Sequence, residues 1–228
     1  MTTTFEPLAT SSAKAIVSDA MDLLERVGVA VHDAEAHALV QAHGARLDRA
    51  TDRLRIPSDL VRHAVAGAPA VVQLFDTQGR LTHEIGDDRQ YFTPGSSAVY
   101  LLDRASADAR APLTADYVEY VQVVSGLPHF ASQSTAFIPS DVPAAVSDSY
   151  RLYLSLLHGE KPVVTGTFSP AALDVMRDLQ LAIRGSAANL ASKPLAIYTC
   201  CPTSPLAWSA DAVRALFDCA HHGNPGGC

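Results

Sequence analysis

Four cysteines, Cys200, Cys201, Cys219 and Cys228, lie within the last 29 positions of this 228-residue chain, and His221 and His222 stand among them. Thiolates and imidazoles at suitable spacing hold zinc, and a thiolate beside a base is a nucleophile. The spacing argues against the first chemistry. Cys219-x-His221-His222-x5-Cys228 matches none of the usual zinc patterns, and the adjacent pair Cys200-Cys201 would point to opposite sides of a regular strand. For the second chemistry, nothing within IYTCCPTSP, residues 197–205, supplies a base to activate either thiol. These residues are therefore expected to be core thiols, with Cys219 packed under a helix whose C-terminal dipole the two histidines favour. No metal ligands are assigned, and a small zinc-binding protein ranks last among the functional readings.

Such groups act only where secondary structure places them. With 48% hydrophobic residues, a formal charge of −7 and 17 scattered basic residues, the chain can bury a sizeable core and offers no basic stripe to a nucleic acid. Its opening, MTTTFEPLATSS, lacks the basic region and apolar run of a secretory leader. No stretch approaches the roughly 20 apolar residues of a membrane span. A cytoplasmic location, reduced thiols and no membrane association are expected.

The two halves follow different rhythms. In the first, Ile16, Ala20, Leu23, Leu24 and Val27 repeat at helical spacing after Ser11 and Ser12, and Gly28 suits a left-handed stop. A second helix fits Asp33 to His43, ARLDRATDRLRIP reads as a hairpin, and Ser58 caps a third helix through Ala66. From Val71 to Leu102 the pattern becomes short extended runs, VVQLF, RLTHEI, QYFTPG and AVYLLD. After Thr114, strands and helices alternate. A helix carrying Val118, Val121 and Val124 ends at Gly126, the run FASQSTAFIP is extended, and Val146, Tyr150, Tyr153, Leu154 and Leu157 form the next helical face. KPVVTGTF is a strand, and Ser169 and Pro170 open a helix that closes at Gly185. KPLAIYTCCP is another strand, with a helix from near Ser209 to Gly223. The Lys-Pro pairs at Lys161 and Lys193 lie 32 residues apart, the length of one βα unit.

Three consecutive βα units with nearly continuous apolar strands predict a parallel sheet covered by helices, either doubly wound or a barrel. Neither TGTFSP nor CPTSP carries the glycine spacing of a dinucleotide site, which favours the barrel. The expected fold is α/β: a partial (β/α)8 TIM-type barrel of about three βα units in residues 114–228, preceded by an α+β extension of helices and β-hairpins in residues 1–113. Ligands then sit beyond the carboxyl ends of the strands.

Six separated segments carry a family resemblance: AMDLLERVGVAVHDAEAHALV, RIPSDLVRHAVAGAP, YFTPGSSAVYLLD, IPSDVP, KPVVTGTFSP and CPTSPL. Their order and spacing resemble those of the trimethylamine:corrinoid methyltransferase family, over about residues 10 to 223. The resemblance implies a barrel enzyme that moves a methyl group from trimethylamine, or from a quaternary amine such as glycine betaine, to the cobalt of a partner corrinoid protein. It implies no directly bound cofactor, since the cobalamin-type corrinoid stays on the partner, and a homo-oligomer in full-length relatives. Members of that family are about twice as long, so the chain is expected to be cut within its barrel and inactive alone. A non-catalytic truncated fragment is the alternative reading.

A methylated ammonium ion cannot make a close salt bridge, so its site needs aromatic faces, each contact worth roughly 0.5–2 kcal/mol. The candidates that the resemblance brings forward are Phe92, Tyr100, Phe137, Thr165, Phe168 and Tyr198, with Tyr91 beside them; no catalytic residue is assigned. Thr93-Pro94-Gly95 is either a close backbone approach to the barrel mouth or a type II turn between strands. Thr135, Asp141, Thr165, Thr167 and Ser204 are polar groups suited to orienting the carboxylate of a betaine, although Asp141 equally suits a cap on the helix that follows it.

Overall fold

Gly28 ends the first helix, α1 (Thr10–Arg26), at a φ of +76°, and a Cβ there would lie 2.5 Å from the Leu54 carbonyl oxygen. Only glycine allows that approach. It brings Val29 against Leu54 in an antiparallel bridge at the centre of one of two compact units, Met1–Ala68 with Pro202–Ala210. The second unit is Pro69–Cys201 with Asp211–Cys228, and the computed structural model describes residues 8–87, 89–222 and 226–227.

In the first unit, β1 (Ala30–Val31) is followed by α2 (Ala34–Ala42), capped by the Asp33 carboxylate, which accepts from Ala36 N at 2.8 Å. The expected hairpin is β2 (Arg46–Asp48) against β3 (Arg53–Arg55), antiparallel, and α3 (Ser58–Gly67) follows. Ser58 is the first helical residue rather than the cap, and its hydroxyl donates to Glu25 at 2.8 Å. The core is Val29, Ala45, Leu54 and Ile56, with Leu24 and Trp208 packed on it. Of the apolar stripe expected on α1, Leu24 alone joins that core. Ile16, Leu23 and Val27 stand exposed, because α3 and β3 cover α1 along one edge.

The second unit begins with two antiparallel hairpins, β4 (Val71–Phe75) with β5 (Leu81–Gly86), and β6 (Leu101–Leu102) with β7 (Ala109–Arg110). Helix α4 (Thr114–Ser125) leads to β8 (Gln133–Ser134), α5 (Ser147–His158), β9 (Val163–Thr165), α6 (Pro170–Arg184), the short α7 (Ala187–Ser192) and β10 (Ala196–Thr199). β11 (Ala207–Trp208) pairs with β1 in the first unit, and α8 (Ala210–His222) and β12 (Gly226–Gly227) complete the order. Strands β8, β9, β10 and β12 form one parallel sheet in the order β12-β10-β9-β8. Three of these strands were expected. The fourth, paired with Tyr198 and Thr199, is two glycines and carries no side-chain pattern to betray it.

The fold is thus mixed α/β with small sheets, and no sheet closes into a barrel among the described residues. Thr93-Pro94-Gly95 is not a turn between hairpin strands. Its segment lies along the free flank of β8, with parallel bridges Phe92↔Phe130 and Ala98↔Phe137, and Ala98 N donates to Ala136 O at 2.7 Å.

Between sheet and helices lie Leu152, Val163, Leu173, Met176, Ala196, Tyr198, Cys200 and Cys219. Of the face expected on α5, Leu154 is buried and Tyr150 half-buried, but Val146, Tyr153 and Leu157 are exposed, and Asp148, Arg151, Leu152 and Ser155 are buried in their stead. Two long side chains tie loops to this frame. The Lys161 ammonium donates to the carbonyls of Val124 (2.8 Å), Leu127 (2.5 Å) and Phe130 (2.8 Å), closing the turn between α4 and β8. Arg184 donates to Asp76 O at 2.8 Å and Lys193 O at 2.7 Å, fastening the β4–β5 hairpin to the end of α6.

Arg110 anchors the other hairpin, reaching Asp103 at 2.8 Å and both Asp116 oxygens at 2.7 Å. The Arg110 guanidinium, with the Ser106 and Ala105 N–H groups, holds the Asp103 carboxyl down at about 2, against an ordinary 3.8. A depressed carboxyl contributes stability above its unfolded value and loses it as pH falls toward the folded one. Asp103→Asn is therefore expected to lower the thermal midpoint near pH 7, with the gap to the parent chain closing between about pH 4 and pH 2, as followed by circular dichroism.

Candidate functional site

The polar residues of α5 converge on the carboxyl ends of β8 and β9. Asp148 and Arg151, three residues apart, share one helical face, and Arg151 is 1% exposed. Arg151 Nη2 donates to Asp148 Oδ1 at 2.7 Å, its Nη1 donates to Thr135 O at 3.1 Å and Ser97 Oγ at 3.2 Å, and its Nε reaches Ser147 O at 3.4 Å. The second carboxylate oxygen, Asp148 Oδ2, accepts from Phe168 N at 2.6 Å and Thr167 Oγ1 at 3.0 Å. The guanidinium carbon also lies 5.3 Å from the centroid of the Phe168 ring. One buried ion pair thus fixes the loop after β9 and backs its aromatic ring. Charges buried in this way survive only when hydrogen bonds complete their coordination, as here.

The six residues brought forward by sequence fall in different places. Phe168 stands beyond β9 with 66% of its surface exposed, and Tyr100, also exposed, precedes the β6–β7 hairpin. That hairpin sits at the same end of the sheet, since Ala98 pairs with Phe137 and Ser140 N donates to Pro112 O at 2.8 Å. Phe92 is exposed at the opposite end, beside Phe130. Phe137 follows Phe130 by seven positions along the β8 segment, a span of at most about 23 Å at roughly 3.3 Å per residue. Phe137 is half-buried against Tyr117 and Tyr120, with ring centroids 6.3 and 5.1 Å away. Thr165 is buried, its hydroxyl 3.3 Å from that of Thr135. Tyr198 is 2% exposed among the helices, with Gln180 Nε2 donating to its hydroxyl at 2.9 Å, and burial pushes that phenol above its ordinary value. Of the six, Phe168 and Tyr100 combine exposure with a place at the carboxyl ends.

Of the five polar groups suited to a carboxylate, Ser204 is exposed in the loop before β11 and the other four are engaged. Thr135 and Thr165 face each other, and Thr167 donates to Asp148 or to Ser169 O. Asp141 accepts from Thr114 N and Oγ1 at 2.9 and 3.0 Å, so it caps α4 rather than the helix that follows it. Apolar periodicity on α5 does not point to Asp148 and Arg151, which are polar members of its buried side. Their signal was an Asp and an Arg three apart, in a stripe with Ser147 and Ser155.

Cavities occur elsewhere in this unit. One of about 880 Å³ lies between the β4–β5 hairpin and α7 and α8, reaching Pro194 ahead of β10, and another of about 500 Å³ is lined by His83, His158 and Lys161. Neither is lined by Phe168. Among the described residues no group of three or more His, Cys, Asp and Glu side chains could hold a metal ion; Cys228 and the side chain of His222 lie outside those residues. Cys200 and Cys219 are buried, with the Cys219 thiol pushed up to about 12 by burial, and Cys201 is exposed. The alternation at Cys200 and Cys201 is that of a regular strand end.

Parallel strands joined through helices, with an aromatic ring and a hydrogen-bonded ion pair beyond their carboxyl ends, define an α/β protein of the kind that binds ligands at that end of its sheet. The chain matches the family described as trimethylamine methyltransferase (MTTB) over residues 1–227, and it belongs to that family. It is 23% identical to trimethylamine methyltransferase MttB of Desulfitobacterium hafniense over 211 residues, 92% of this chain and 42% of the relative. With trimethylamine methyltransferase MttB1 of Methanosarcina acetivorans the identity is 27%, over 95% of this chain and 45% of the relative. MttB2 of Methanosarcina mazei is similar at 26%, with the same coverage. The chain spans less than half the length of these relatives.

The burial pattern sets an expectation for the thiols. Iodoacetamide applied to the native chain should alkylate Cys201 and leave Cys200 and Cys219 protected until denaturant is added, as read by peptide mass mapping.

Proposed function

We propose that this chain forms the amine-binding part of a methyltransferase: its parallel strands are an arc of a (β/α) barrel whose carboxyl end receives a methylated amine, and the methyl group passes to a corrinoid carried by a partner protein. Family membership over residues 1–227 is the observation that carries this reading. When bound, the corrinoid supplies a reduced cobalt that takes the methyl group, while the C–N bonding pair stays on the nitrogen and the amine leaves one methyl poorer.

The chain's own residues have a narrower task. A tertiary ammonium or quaternary amine spreads its charge over methyl groups, and an aromatic face attracts such an ion without the dehydration that a tight ion pair demands. Phe168 offers that face beyond β9, and Tyr100 stands at the same end. Keeping the nitrogen positively charged makes it the better leaving group, so an aromatic contact binds the reactive form. The engagement of Thr135, Thr165, Thr167 and Asp141 with protein groups favours an amine recognised through its methyls over a betaine recognised through its carboxylate.

Phe168→Ala is expected to weaken binding of tetramethylammonium to the chain about two- to thirtyfold, the equivalent of one cation–π contact of roughly 0.5–2 kcal/mol. Titration followed by NMR measures it, and unchanged affinity would remove Phe168 from the site. The 228-residue chain alone is expected to show no demethylation of trimethylamine or glycine betaine with a reduced corrinoid protein. In a barrel of eight strands, catalytic groups come from the ends of several different strands, and the sheet among the described residues has four. Turnover by homogeneous chain would overturn the barrel-arc reading.

A further inference from the structure

The ring of Phe168 has two faces in different electrical surroundings. One is backed by the Arg151 guanidinium at 5.3 Å, and the residue as a whole is 66% exposed, so the other side is open. A cation behind an aromatic ring competes for the same π-electrons that would attract a second cation in front. Left uncompensated, Arg151 would oppose the ligand that the site is read to bind. Asp148, at 2.7 Å from Arg151 Nη2, removes that opposition. Its other oxygen accepts from the Phe168 N–H at 2.6 Å, so the same carboxylate fixes where the ring stands. Stability alone does not call for the arrangement, because apolar side chains of similar volume commonly replace a buried ion pair at no cost.

We propose that Asp148 is a positioning residue for a methylated ammonium ligand: it neutralises Arg151 behind the Phe168 ring and clamps the loop that carries the ring, leaving the open face attractive to a cation. The inference rests on the amine-binding reading of this end of the sheet. It adds a charge-balance requirement that a purely structural pair would not have.

The test compares two probes of similar shape, tetramethylammonium and the neutral 3,3-dimethyl-1-butanol, titrated by NMR against the full 228-residue chain and its variants. Asp148→Asn keeps an acceptor for Phe168 N and removes the charge. A full charge left about 9 Å from a bound cation, across a partly buried ring, weakens binding roughly tenfold. The expected result is that loss for tetramethylammonium, little change for the alcohol, and recovery to within about threefold in the double variant Asp148→Asn, Arg151→Met. Equal losses for both probes, or no loss in a variant shown by circular dichroism to be folded, would overturn the proposal. Should Asp148→Asn not fold, Arg151→Met at about pH 8 decides in the other direction: tighter tetramethylammonium binding supports the charge balance, and equal or weaker binding refutes it. If the parent chain binds neither probe, the amine-binding reading itself fails. Hydrogen exchange at the Phe168 amide then settles the clamp separately. Exchange at least tenfold faster in Asp148→Ala supports it, and unchanged exchange ends it.

Discussion

The Asp148–Arg151 pair is the contact through which the second unit holds four separate segments at one point. Arg151 reaches Ser97 on the flank of β8 and the Thr135 carbonyl at the end of β8, while Asp148 holds the loop after β9, and both side chains start from α5. Taking two such charges out of water costs several kcal/mol each, and the mutual attraction offsets this only where geometry and extra hydrogen bonds are good. Losing one partner commonly costs about 3–5 kcal/mol, because the survivor is stranded. The arrangement therefore tolerates little displacement of any of the four segments, which is the kind of constraint that keeps a loop at one position.

Around that point the sheet is organised by side. Residues 163, 165, 196 and 198 share the face toward the helices, and α5, α6 and α8 close over it with Leu152, Leu173, Met176, Ala215 and Cys219. The opposite face, with Val164, Ile197 and Thr199, is less buried. Ties at the other end of the strands are of a different kind: the Lys161 ammonium satisfies three backbone carbonyls, and Arg184 draws the β4–β5 hairpin to the end of α6. The exposed aromatic ring thus stands on a frame secured at both ends of its strands.

Much of this frame was legible in the sequence. Asp33, Gly28, Gly185 and the Ser169-Pro170 pair mark helix boundaries that the structure bears out, and the hairpin in residues 46–55 and the strands β9 and β10 lie where periodicity places them. What periodicity could not show is where partners are polar or lack side chains. Four of the six buried residues of α5 are polar or charged, so apolar spacing picks out Leu154 and misses Ser147, Asp148, Arg151 and Ser155. β12 is two glycines, and residues 92–98 lie beside β8 through backbone bridges and the Ser132 and Ser134 hydroxyls, which no apolar pattern records. Of the candidates named from residue type, Phe168 and Tyr100 are exposed, whereas Tyr198 is buried on the helix-facing side of β10; residue type does not record which face a strand residue takes.

The segment 92–98 along β8 also bears on how the sheet assembles. Reading across from residues 92–98 to β8, β9, β10 and β12, spatial order and chain order are the same. Within this sheet each pairing partner is thus the member made just before, and no strand waits for a later one to be inserted between it and its neighbour. Parallel sheets fold slowly when distant segments must meet, and chains made from the N-terminus are most exposed to wrong pairing during that delay. A sheet that grows by one strand at its newest edge shortens the delay to about the length of a single βα unit.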